Sequence, residues 1–172
     1  MIIVLRLGHR IPRDERMTTH VGLSARALGA DKIIYSGQKD SGMEESIGRI
    51  VKNWGGDFSV EYCKNGTRIL GEYKKKGFAV VHLTMYGLRV QDKINEVRGK
   101  KDLVVVVGGA QVPGEFYEVA DYNLSVTTQP HSEVSSLAVF LHEYFEGKEL
   151  EKEFKGKKKI EPSEKSKRIT GP

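Results

Sequence analysis

The chain has 172 residues, room for one domain with a real core, and its 38% hydrophobic and 30% charged content suits a soluble globular fold rather than disorder. Its apolar runs, Leu103 to Val107 among them, are far too short to span a bilayer, so no membrane partner is expected. A single cysteine, Cys63, excludes an internal disulfide and a cysteine-based zinc cage, and the net charge of +5 lies mostly in one place: Glu151–Pro172 holds eight Lys or Arg against four Asp or Glu.

In chain order, Ile2–Leu7 is apolar and β-branched and predicts a first strand. It lacks the basic flank and small-residue cleavage site of a signal peptide, so a cytoplasmic protein is expected. Thr18–Leu28 predicts a helix, capped by Thr18 or Thr19 and stopped by Gly29. Lys32–Tyr35 predicts a short strand. Glu44–Trp54 has Ile47, Ile50, Val51 and Trp54 at helical spacing and stops at Gly55-Gly56. Phe58–Tyr62 alternates as a strand, Thr67–Lys75 predicts a helix, and Phe78–Met85 a buried strand. Val90–Val97 predicts a helix and Leu103–Val107 a fully buried strand. Pro113–Val119 reads as a helical turn, Asn123–Val126 as a strand, and Ser132–Phe145 as a helix with Val134, Leu137, Ala138 and Leu141 on one face.

Strands alternating with helices predict an α/β fold: a mostly parallel sheet with helices on both faces. Ligands bind such sheets beyond the carboxyl ends of the strands. Three strand ends are equipped for this: His82–Gly87, Gly108–Glu115 and Thr127–Glu133. Gly108-Gly109 follows four valines and lets a ligand approach the backbone, although a Gly pair after a strand is often only a tight turn. The stretch GGAQVPGE is neither GxGxxG nor a phosphate loop with its lysine, which disfavours a nucleotide-phosphate site. Ser132 is a candidate cap whose helix start offers free backbone N–H groups. The five histidines show no metal-ligand spacing, so no metal is expected. No G-x-S-x-G elbow is present.

The segment RLGHRIPRDERMTTH gathers Arg6, Arg10, Arg13 and Arg16. Arginine grips phosphate bidentately, and the cluster precedes a helix near the first strand's ligand end. Asp14 and Glu15 can neutralise part of it. The tail reads either as a solvated terminus or as a mobile arm that touches phosphate.

Taken together, HRIPRDERMTTHVGLSARALGA, WGGDF, VHLTMYG, VVVVGGAQVPGEFYEVADYNLSV and QPHSEVSSLAVFL resemble the SPOUT superfamily of RNA methyltransferases. Within it they look like the archaeal tRNA cytidine-56 ribose 2′-O-methyltransferases. Each stretch alone is weakly specific; their order across nearly all of Met1–Gly147 is strongly so. The resemblance implies a C-terminal trefoil knot that forms the S-adenosyl-L-methionine pocket and the homodimer interface, although general topology rules argue against knots. It implies tRNA as substrate and a domain over residues 1–150, followed by a basic tail at 151–172. It places the cofactor loops at Leu83, Thr84, Met85 and Gly87; at Gly108, Gly109, Ala110, Gln111 and Val112; and at Val126, Thr127, Thr128, Gln129, Pro130, His131, Ser132 and Glu133. Related enzymes carry an arginine six residues before a glycine of the first helix. That count from Gly29 gives Leu23, so the pattern does not transfer directly. Arg16 is the first choice for the catalytic arginine, then Arg13 and Arg10, while Arg26 inside the helix suits a structural role.

Cys63 is remote from all three loops, which speaks against carbon-5 methylation through a thiolate and for an oxygen acceptor. Two alternatives stay open on the sequence alone. One is a non-catalytic RNA-binding module; the other is a ribose methyltransferase acting on a different RNA.

Overall fold

The computed structural model describes residues 1–109 and 111–171. Six strands form one sheet: β1 (Ile2–His9), β2 (Lys32–Gly37), β3 (Ser59–Cys63), β4 (Ala79–Arg89), β5 (Leu103–Val107) and β6 (Tyr122–Ser125). Their order is β3-β2-β1-β5-β4-β6, and every neighbouring pair is parallel. Parallel strands buried on both faces need continuous apolar sequence, which IIVL and LVVVV supply.

Alternate side chains face opposite layers. Ile2, Val4, Val105 and Val107 meet α1 (Glu15–Ala27), α2 (Ser41–Trp54), α4 (Val90–Arg98) and α6 (Glu133–Phe145) through Val21, Ile47, Ile94 and Phe140. Ile3, Leu5, Val104 and Val106 meet α3 (Gly66–Lys75) and α5 (Gly114–Val119) through Leu70 and Phe116. The expected α/β architecture with helices on both faces is therefore present.

Two boundaries differ from expectation for physical reasons. The first helix begins at Glu15, and Asp14 at its N-cap makes no side-chain cap bond. Thr18 is no cap: it is buried, and its Oγ1 lies 2.8 Å from His9 Nδ1. β4 runs beyond Met85. It pairs with β6 up to Leu83, bulges, and pairs with it again at Leu88 and Arg89. Gly87 makes this return possible, because a Cβ there would stand 2.5 Å from the Asn123 carbonyl oxygen.

The tail is docked and partly ordered. After a 3-10 turn (Lys148–Glu151), Phe154 packs under Arg26, whose guanidinium lies 4.6 Å from the ring centroid. An Arg26 Nη2 donates to the Gly55 carbonyl at 2.6 Å, so this arginine is structural. The chain then forms a small antiparallel hairpin of β7 (Lys159–Glu161) and β8 (Arg168–Thr170).

Candidate active site

Four strands reach one level together. Arg6 pairs with Val107, Val107 with Leu83, and Leu83 with Leu124. The three segments expected to hold a ligand therefore leave the sheet side by side, at its carboxyl edge, next to the strand that leads into the arginine segment.

The loop after β5 is shaped by its glycines. Val112 folds back over Gly108 so closely that a Cβ there would collide with Val112 Cγ2. Gly109 is exposed instead. A Cβ on it would be 3.8 Å from both Arg6 Nη1 and Glu133 Oε1, van der Waals contact, so the loop backbone lies directly over this ion pair. Gln111 is exposed and Val112 half-buried; Ala110 lies outside the described residues.

The loop after β6 leads into α6. Val126 is half-buried, while Thr127, Thr128, Gln129, Pro130, His131 and Ser132 are exposed. His131 Nδ1 lies 2.7 Å from the Gln129 carbonyl oxygen, which folds the turn on itself. Ser132 is the N-cap: its Oγ accepts from the Val134 N–H at 3.1 Å, as its residue type predicts. Glu133 opens the helix and lies 3.6 Å from an Arg6 Nη2.

On β4, Leu83 is buried in the sheet, and Thr84 Oγ1 shares a 3.0 Å hydrogen bond with Tyr117 OH. Met85 is half-buried. Gly87 faces the β6 backbone, so its glycine serves the return of β4. Beneath lies a network that the sequence did not announce. His82 Nδ1 is 2.9 Å from Asn123 Oδ1, Asn123 Nδ2 donates to the Tyr117 carbonyl at 2.9 Å, and the Tyr117 ring meets the imidazole edge-on. Because Asn123 uses its amide toward Tyr117, its oxygen accepts, and the His82 proton sits on Nδ1. Nε2 is buried without a partner. Burial pushes the imidazole below its usual pKa, with the Asn123 bond opposing, so the neutral form is favoured. The available signal was a polar residue inside AVVHL.

The arginine segment sits on a second buried network. His9 Nε2 lies 3.2 Å from Asp40 Oδ2, and Asp40 Oδ1 accepts from the Met43 N–H to cap α2. Above it, Arg10 Nε pairs with Asp14 at 3.2 Å and Arg13 Nε approaches the same carboxylate at 3.8 Å. Arg16 is different. It stands exposed on the first turn of α1, and among the described residues it has no ion pair or side-chain hydrogen bond. Among the described residues the segment and these loops share no direct hydrogen bond through these three arginines; they are linked through Arg6.

Arg6, the first arginine of the cluster, lies within β1. It is 2% exposed; Nη1 donates to the Leu7 carbonyl at 2.6 Å, and among the described residues Nε has no partner. Burial lowers its pKa, and Glu133 opposes the shift. Among the described residues no group of three or more His, Cys, Asp or Glu is placed to hold a metal ion.

This arrangement has relatives. The AviRb SpoU methyltransferase of Streptomyces viridochromogenes, solved in complex with AdoMet, has the same fold at a TM-score of 0.63, with 13% identity over 86% of this chain and 57% of its own. The A. aeolicus TrmH/SpoU tRNA modifying enzyme superposes at a TM-score of 0.66, with 20% identity over 87% of this chain and 76% of its own. In sequence, a tRNA (cytidine(56)-2′-O)-methyltransferase of Methanosphaera stadtmanae is 51% identical over 171 residues, 98% of each chain. The model of the family described as tRNA ribose 2′-O-methyltransferase, aTrm56, matches residues 54–170, which takes in the loops of β4, β5 and β6 and also the terminal hairpin. The family model over residues 54–170 and 51% identity to a relative across 98% of the chain show that it belongs to the tRNA ribose 2′-O-methyltransferases.

Proposed function

We propose that this chain transfers the methyl group of S-adenosyl-L-methionine to the ribose 2′-oxygen of cytidine 56 in tRNA. The observation that carries the reading is the common level of Arg6, Val107, Leu83 and Leu124, from which three loops open beside the arginine segment. The residues present fit the cofactor: exposed Gly109 brings backbone over the Arg6–Glu133 pair, and the exposed turn from Thr127 to Ser132 offers main-chain groups. Leu83, Thr84 and Met85, Gly108, Gly109, Gln111 and Val112, and Val126 to Glu133 would hold it. When bound, S-adenosyl-L-methionine supplies a methyl group already activated on a sulfonium.

The protein's own task is then positioning and charge. The ribose hydroxyl passes its proton to the adjacent RNA phosphate or to water as its oxygen takes the methyl. Arg16 serves that oxygen: its unpaired guanidinium is free to donate to developing negative charge, whereas Arg10 and Arg13 already share Asp14. Ser132 fixes the start of α6, and Arg6 holds Glu133 below the pocket.

The finer architecture follows the same reading. The second pairing of β4 with β6, closed over Gly87, supports a trefoil knot around the pocket. Exposed Tyr86, Leu88 and Val139 support a homodimer that buries them, with Arg16 serving across the interface. Residues 1–150 form the catalytic unit and 151–172 its basic extension. No described helix is long and apolar enough to cross a membrane, and work on tRNA suits the cytoplasm.

The test is direct. Unmodified archaeal tRNA is incubated with labelled cofactor, digested, and the methylated nucleotide mapped. A 2′-O-methylcytidine at position 56 is expected; a base-methylated product, or none, overturns the reading.

A further inference from the structure

The segment after Phe154 holds seven Lys or Arg against two Glu, a surplus equal to the +5 of the whole chain. In the body several cations are paired, Arg10, Lys32, Arg68, Lys74, Lys93 and Arg98 each with a carboxylate within 4.0 Å, while others such as Arg16 have none among the described residues. Among the described residues, none of the seven cations beyond Phe154 has one. The arm is nonetheless held at its base. The Lys158 N–H donates to the Asn53 carbonyl at 2.8 Å, Phe154 is clamped by Arg26, and the Gly156 backbone lies so close to Trp54 and Gly55 that a Cβ would not fit.

Beyond that base every residue of β7 and β8 is exposed. A lone two-stranded hairpin is marginal in water, and like charges crowded on it repel. One face shows Lys159, Glu161, Arg168 and Thr170; the other shows the cross-strand pair Ile160–Ile169. Burial stabilises none of this, whereas a polyanion would relieve the repulsion and release its own counterions.

We propose that the β7–β8 hairpin is a second tRNA-binding surface, which grips backbone phosphates away from the reacting ribose. The proposal rests on the tRNA reading above. The arm docks beside the C-terminal end of α2, and α1 runs from Arg16 near the pocket to Arg26 at the arm's base, a rise of roughly 15–20 Å. The hairpin therefore contributes to RNA binding and leaves methyl transfer itself to the loops.

The test combines Lys157→Gln, Lys159→Gln, Lys165→Gln and Lys167→Gln, all on exposed side chains, in the full chain. Binding of unmodified tRNA is measured without cofactor over a salt series, beside kcat, KM and S-adenosyl-L-methionine affinity. We expect KM and Kd for tRNA to rise about tenfold or more near 0.1 M salt, and the log–log salt slope to become shallower by about 3. At saturating tRNA, kcat and cofactor affinity stay unchanged. An unaltered salt slope overturns the proposal, as does a fall in kcat at constant KM. A change of oligomeric state with tRNA affinity intact also overturns it, because the hairpin would then seat on a second copy through Ile160 and Ile169. Failure of the wild-type chain to methylate tRNA would defeat the activity reading alone, since the hairpin is judged on binding.

Discussion

The Arg6 guanidinium, buried within β1, lies 3.6 Å from the Glu133 carboxylate at the start of α6. This pair joins the strand feeding the arginine segment to the helix that borders the cofactor loops. Removing one member leaves a buried charge without its counterion. Glu133→Gln should therefore destabilise the fold by about 1–3 kcal/mol, moderated by the partial exposure of Glu133. The double variant Arg6→Met with Glu133→Gln should lose less than the sum of the single losses. Guanidinium unfolding of the four proteins measures this, and strict additivity would show that the pair is not coupled.

Arg16 makes no ion pair among the described residues, so its replacement should cost little stability. Arg16→Ala should lower kcat by about 100-fold or more, the usual loss of a donor to developing negative charge. Cofactor affinity should hold within about twofold by calorimetry. Arg10→Ala and Arg13→Ala should act mainly through the segment's shape, since both surround Asp14. A larger loss from Arg10 or Arg13 would move the catalytic assignment.

His82 predicts a pH dependence. Its folded-state pKa lies below the unfolded value of about 6.5, so the unfolded chain takes up the proton first as pH falls. Its contribution to stability is complete above that value and declines below it. His82→Gln should flatten the stability–pH curve below about pH 6.5 by up to about 1.4 kcal/mol per pH unit. Urea unfolding of both proteins at several pH values gives the difference; parallel curves would rule out a neutral buried imidazole.

Cys63 ends β3, the edge strand, with β2, β1 and β5 between it and β4. Burial pushes its thiol up to about 11, with the Glu61 charge adding to the shift. Such a thiol is a poor nucleophile at neutral pH. Cys63→Ala should leave initial rates of tRNA methylation unchanged within about twofold. A loss of chemistry without a loss of stability would bring a covalent thiolate route back into consideration.

Most of the sheet was legible because apolar runs such as LVVVV mark strands buried on both faces, and Ile47 and Val51 mark the inner face of α2. Ser132 was legible as a cap because its bond is local. Thr18 carried the same local signal, but a long-range partner, His9, claimed its hydroxyl. Arg6 and His82 were hidden for a related reason: a polar residue in an apolar strand declares its purpose only when Glu133 or Asn123, far along the chain, is set beside it. The hairpin left only Ile160 and Ile169 as strand-like apolar marks, each set among charged residues, Ser, Thr and Pro.

The return of β4 over Gly87 also sets an order of assembly. The β1–β2 and β2–β3 pairings are available once the chain reaches Cys63, although β1 still awaits β5. The second half of β4 waits longer, because Leu88 and Arg89 pair with Leu124 and Ser125. Contacts so distant in sequence form late. A growing chain thus acquires its arginine-bearing side early, and gains a pocket only when β6 emerges, so no intermediate carries the arginines and the pocket together until the fold is nearly complete.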